Sequence, residues 1–212
     1  MKTRYARIVE DKFIVSKDAI EDSITVKEME DKVVIGYLMR DESPMDPLED
    51  MDGQGRLYRW PTDHWTGDEE KYREAVKADV ALILNCYVHS GFYWYVSGHA
   101  HAYCQHEGWD TVNNAGVWVP DAVLKEMLAA IPDRADRHAK AVEYCEQALE
   151  MYNAYVNGDV YGWGIGIYDR DGKVLEENSC YGYYGCKDAV KEMEEEVERT
   201  VKSMEIQETV PV

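Results

Sequence analysis

The sequence predicts an α+β fold: an antiparallel-rich sheet packed by two or three amphipathic helices, in a single domain covering residues 1–212. Three observations carry this. β-branched and alternating segments sit beside short turn signals, as at Lys32–Arg40 and on both sides of Arg170–Gly172. Two long stretches, 134–156 and 187–205, repeat apolar residues at the helical period. A chain of 212 residues also suits one well-filled core, since separate cores usually appear only beyond roughly 250–300 residues.

Near the start, Ile14-Val15 and Ile24–Val26 read as short strands, and Lys32–Arg40 (KVVIGYLMR) as a longer one. Residues 41–67 form a long acidic loop punctuated by Pro44, Pro47, Gly53, Gly55 and Pro61, with Trp60 and Trp65 expected to pin it. Asp68–Lys77 reads as a short helix and Asp79–His89 as a buried strand. After the Ser90-Gly91 turn, Phe92–Cys104 reads as a second strand. Its period of two puts Phe92, Trp94, Val96, Ala100 and Ala102 on the core side and Tyr93, Tyr95, His99, His101 and Tyr103 on a polar aromatic face.

Val117–Val119 reads as a brief strand, and Pro120 opens a helix over 121–131. The helix over 134–156 has the inner stripe Ala141, Val142, Cys145, Ala148, Leu149, Tyr152 and Tyr155, and Asn157-Gly158 ends it. Val160–Tyr168 and Lys173–Tyr184 form a hairpin. Gly162, Gly164 and Gly166 share one face of its first strand, where another backbone, such as a helix, is expected to come close. The acidic C-terminal helix, 187–205, has a narrow stripe of Val190, Met193, Val197, Val201 and Met204.

Charge is the strongest global feature. There are 42 Asp and Glu against 23 Lys and Arg, a formal net charge of −19. Such a field repels nucleic acid and anionic membrane and attracts basic surfaces. Direct nucleic-acid binding needs a basic patch, and the sequence has none. Sixteen Tyr and six Trp against two Phe favour half-buried contact surfaces. Cysteines at 86, 104, 145, 180 and 186 do not form a secreted disulfide pattern, and Met1–Glu10 lacks an apolar signal core. Apolar runs such as Val80–Leu84 are far below the roughly 20 residues a membrane span needs. These features predict a cytoplasmic protein without a membrane partner.

Several short motifs recur together. They are Asp41-Glu42-Ser43-Pro44, His89-Ser90-Gly91, Trp109-Asp110 with Gly116–Val119, and Gly158–Gly162 followed by Cys180-Tyr181-Gly182. With this set the chain resembles, over about residues 33–186, a family of small phage and prophage proteins that has no established activity. Thr111–Ala115 departs from that family, which has a shorter, Gly-containing segment there. The resemblance implies a context rather than a chemistry: an accessory phage protein acting inside a host bacterial cell.

Two constellations are candidate sites. Asp41, Glu42, Asp46, Glu49, Asp50 and Asp52 crowd the loop, and Glu192, Glu194, Glu195, Glu196 and Glu198 crowd the last helix. Carboxylates on a rigid scaffold imitate duplex phosphates and can occupy a basic groove; the plainer reading is a solvated surface. His99, His101, Cys104 and His106 fall within eight residues, and imidazole with thiolate suits zinc, although the spacing matches no standard zinc signature. No other cofactor is expected. Asp50–Gly53 fails as a calcium loop, because its twelfth position would be Arg59, and Gly162-x-Gly164-x-Gly166 is no dinucleotide fingerprint.

The expected function is therefore an inhibitor of a bacterial defence system, of the anti-CRISPR or anti-restriction type. It would bind a basic, nucleic-acid-processing complex by charge mimicry, without catalysis. Alternatives are a small metal-dependent enzyme built on His99, His101 and His106, and a phage structural or self-associating protein.

Overall fold

The structure is a computed structural model and describes residues 6–9, 13–16, 18–20, 23–99 and 109–209. In chain order, β1 (Ala6–Val9), β2 (Phe13–Ser16), β3 (Thr25–Glu28) and β4 (Lys32–Arg40) come first. Then follow β5 (Arg56–Arg59), α1 (Glu69–Ala75), β6 (Leu82–Val88), β7 (Phe92–Val96), β8 (Thr111–Val119), α2 (Ala122–Ala129) and α3 (Arg134–Val156). β9 (Val160–Asp169), β10 (Val174–Tyr184) and α4 (Cys186–Thr209) complete the chain. The fold is α+β with antiparallel pairing throughout, as the sequence predicts. In place of one sheet, the described residues form two four-stranded sheets and a two-stranded hairpin. By contact the chain groups into two compact units, residues 45–157 and a discontinuous unit of 1–44 with 158–212. No helix among the described residues is long and apolar enough to cross a membrane.

In the discontinuous unit the strand order is β10-β9-β4-β3. β4 is buried from Val33 to Met39, which explains its β-branched, uninterrupted apolar run. One sheet face carries Val34, Leu38, Trp163 and Ile165, and α4 covers it with Ala189, Met193 and Val197. On the other face Val33, Ile35, Tyr37 and Tyr168 pack with Phe13 and Val15 of β2. The glycine row of β9 lies where expected, but rings rather than a helix fill it. A Cβ at Gly162 would meet Tyr181, at Gly164 the ring of Tyr37, and at Gly166 the ring of Tyr168. The helix comes close at Gly36 instead, where a Cβ would lie 2.6 Å from Val197 Cγ2 and 3.2 Å from Met193. Gly36→Val is therefore expected to push α4 off the sheet and cost about 1–3 kcal/mol, the range for overpacking a core. Thermal unfolding followed at Trp163, which packs in the same cluster, checks this, and an unchanged midpoint would show that α4 is not seated on Gly36.

In residues 45–157 the strand order is β5-β8-β6-β7. The expected loop over 41–67 is interrupted by β5, which pairs with β8 from Arg56↔Val119 to Arg59↔Gly116. Trp65 does pin the rest: its Nε1 donates to the Trp60 carbonyl at 2.7 Å, and its ring packs 5.0 Å from Trp94. β8 begins at Thr111 rather than Val117, and a bulge opposite Leu84–Cys86 sets Asn114 at φ 52, its N–H held by Asn85 Oδ1 at 3.0 Å. β7 ends at Val96, eight residues earlier than predicted; Gly98, at φ 84, turns the chain away. Tyr95, expected on a polar face, is buried.

α3 has the predicted limits. Asp133 Oδ1 caps its start by accepting from the Ala135 and Asp136 N–H groups at 2.8 and 3.0 Å. Ala141, Val142, Cys145, Ala148, Leu149 and Tyr152 pack into one core with Leu84, Trp94 and Trp118. The same helix covers the outer edge of β7. Asn153 accepts from the Trp94 N–H at 2.7 Å and donates to the Trp94 carbonyl at 3.0 Å. Asn157 does the same for Phe92, at 3.0 and 2.8 Å. Four helical residues rise about 6 Å and two strand residues about 6.6–6.8 Å, so the two side-chain amides match the strand repeat. They take the place of a neighbouring strand.

Candidate functional site

The carboxylates of the acidic loop divide between the two units. Asp41 and Glu42 belong to the discontinuous unit, where Asp41 Oδ1 accepts from the Ser43 N–H at 3.0 Å. Asp46, Glu49, Asp50 and Asp52 belong to residues 45–157 and build a turn there. Asp46 Oδ1 accepts from the Leu48 N–H at 2.9 Å, and Asp50 Oδ2 accepts from the Asp46 N–H at 3.1 Å. Leu48, fully buried, seats this turn in the core. Burial pushes the Asp46 carboxyl above its ordinary value, against the Leu48 N–H that lowers it. Asp52 pairs with Arg56 at 3.3 Å. Much of this acidity therefore shapes the backbone, a local role that Asp favours.

Asp121 holds the far end of the same loop, and sequence reasoning missed it. Its Oδ2 accepts from the Gly53 and Gly55 N–H groups at 2.7 and 3.1 Å, and its Oδ1 caps α2 through the Leu124 N–H at 3.0 Å. Arg56 Nη1 lies 3.6 Å away. Burial alone would raise this carboxyl; the three N–H donors and Arg56 outweigh it and hold it below its ordinary value. The available signal was an Asp just before an apolar helical run, the usual N-cap position.

On α4 the carboxylates stand on a helix whose orientation is set by Ala189, Met193 and Val197, all buried. Glu192 and Glu196 bracket Arg199 at 2.7 and 2.8 Å, and Glu198 pairs with Lys27 at 2.6 Å. Glu195 lies 3.9 Å from Lys191. Glu194 is exposed and forms no ion pair among the described residues. The five predicted glutamates thus share one element, with three of them closely paired to cations of their own unit.

Of the metal candidates, His101, Cys104 and His106 lie outside the described residues. His99 sits past the end of β7, so the strand alternation expected to align it with His101 does not operate there. Its Nδ1 lies 3.2 Å from Glu146 Oε1 of α3, at a cleft of about 540 Å³ that Tyr93, Tyr95, Glu143 and Glu150 also line. No three His, Cys, Asp or Glu side chains converge as a metal site among the described residues. Cys86 and Cys145 are core residues, and burial pushes the Cys145 thiol up, whereas Cys180 and Cys186 are exposed.

Compared with known proteins, the chain matches no protein-family model, no curated protein and no solved structure.

Proposed function

We propose that this protein is a non-catalytic, acidic binding protein that occupies a basic, nucleic-acid-binding protein surface by charge mimicry. In the phage-like context that the motif set suggests, the target surface would be a bacterial defence complex of the host cytoplasm, such as a CRISPR effector or restriction complex. The observation that carries the reading is the acidic helix α4, oriented by a buried stripe and presenting exposed Glu194 and Glu195, in a chain of net charge −19. Glu194 and Glu195 are its most available members, because Glu192, Glu196 and Glu198 are engaged with Arg199 and Lys27. Carboxylates held this way compete for the cationic groups that otherwise neutralise phosphates, so the complex weakens with salt as a DNA complex does.

The test is capture of a nucleic-acid-processing complex from a bacterial lysate on tagged protein, with elution by salt and by duplex DNA. Glu194→Lys with Glu195→Lys is expected to weaken binding about tenfold or more and to flatten its salt dependence. Binding that resists both salt and DNA, or that survives the double reversal unchanged, would remove the mimicry reading.

A further inference from the structure

Sheet edges expose unpaired N–H and C=O groups, and folded proteins shorten, charge or cover them. The two four-stranded sheets have four outer strands: β3, β5, β7 and β10. β3 and β5 are four residues each. β7 is covered by Asn153 and Asn157. β10 differs from all three. It runs for eleven residues, pairs only with β9 among the described residues, and is exposed without a break from Val174 to Gly182. Leu175 and Tyr181 stand 48% and 51% exposed on it. The Ser179 N–H is met by the side chain of its own neighbour, Asn178 Oδ1 at 2.9 Å, a local substitute for a strand.

We infer that β10 is a self-association edge, pairing antiparallel with β10 of a second copy about a two-fold axis at Ser179. The strand's own polarity selects this partner. Its first half is Val174-Leu175-Glu176-Glu177 and its last is Tyr181-Gly182-Tyr183-Tyr184. An antiparallel pair centred on Ser179 sets Val174 opposite Tyr184, Leu175 opposite Tyr183 and Glu177 opposite Tyr181. Aliphatic side chains then meet aromatic ones, Glu177 meets the Tyr181 phenol, which can donate to it, and Glu176 falls opposite Gly182, away from any like charge. A parallel pair would instead stack Glu176 and Glu177 against their own copies, which is unfavourable. The two-fold arrangement is closed, so it stops at a dimer. Each copy carries −19, so salt screens their repulsion and strengthens the dimer, the opposite of its effect on a mimicry complex.

Light scattering after size exclusion, over about a hundredfold range of concentration at low and high salt, reads the mass. The expected mass rises from 24.4 kDa toward twice that value, more so at high salt. Hydrogen exchange on the unaltered protein then shows the β10 amides protected in the dimer and exposed on dilution. Ser179→Pro removes an N–H that the neighbouring Asn178 Oδ1 meets in the monomer, and a variant that keeps its circular dichroism is expected to stay at 24.4 kDa. A monomer under every condition, a dimer whose β10 amides exchange as in the monomer, or a folded Ser179→Pro variant that dimerises normally would each overturn the inference. None of these outcomes bears on charge mimicry, which is read from α4.

Discussion

Alanine in place of Asp121 is expected to destabilise residues 45–157 by about 3–5 kcal/mol, the usual cost of stripping a buried charge from its partners. Three backbone N–H groups, on Gly53, Gly55 and Leu124, lose their acceptor together, and Arg56 loses the buried one of its two carboxylates, keeping Asp52. Denaturation followed by tryptophan fluorescence checks it, because Trp60, Trp65, Trp94, Trp109 and Trp118 all lie in this unit. The same residue gives the acid limb of stability its shape. Its carboxyl titrates below the ordinary value in the folded protein, so the unfolded chain binds the proton more readily. Its contribution is complete above the ordinary carboxyl range, about pH 4, and is lost as pH falls from there through the folded value. Asp121→Asn should therefore flatten the stability profile below about pH 4. Identical acid limbs in parent and variant would mean that Asp121 titrates as a free carboxyl.

Asn153→Leu is the second large effect, about 2–6 kcal/mol. Leucine resembles asparagine in shape but leaves the Trp94 N–H and carbonyl buried without a partner, each costing about 1–3 kcal/mol. Asn157→Leu is expected to cost clearly less, although the bonding pattern is the same, because Asn157 is exposed and water can replace it at Phe92. Equal losses in the two variants would show that burial is not what makes this contact matter. Exchange at the Trp94 amide gives a local reading of the same quantity.

What was legible in the sequence is what local periodicity encodes. α3 and β4 have their predicted limits, because a strong amphipathic stripe and a β-branched run with charged ends each mark their own boundaries. The β9–β10 hairpin was legible in Arg170–Gly172, where Gly172 takes φ 86. β5 was hidden because Arg56-Leu57-Tyr58-Arg59 has no alternation of its own and becomes a strand only through β8. The end of β7 was hidden because alternation continues past Gly98 in the sequence, while the backbone turns there. The glycine face of β9 was visible, but its filling by Tyr37, Tyr168 and Tyr181 depends on partners far along the chain or on a ring's orientation. For the candidate site, the acidic clusters were legible as clusters. Their division into turn-building aspartates, ion-paired glutamates and the exposed Glu194 was not, since each depends on a specific neighbour.

The pairing of β4 with β9 has a consequence for the order of events during synthesis. Lys32 pairs with Asp169 and Arg40 with Tyr161, so the central strands of that sheet are joined by the whole of residues 45–157. A ribosome releases β4, with its seven consecutive buried residues, long before β9 exists. Closing so long a loop as open chain carries an entropic cost, and collapse of the intervening segment shortens the span that must be closed. The intervening segment is therefore expected to fold first, as a nascent-chain unit, while β4 waits with its apolar face uncovered. Expression rate and chaperone supply should then govern yield through this one strand, and β9 acts as the latch that ends its exposure.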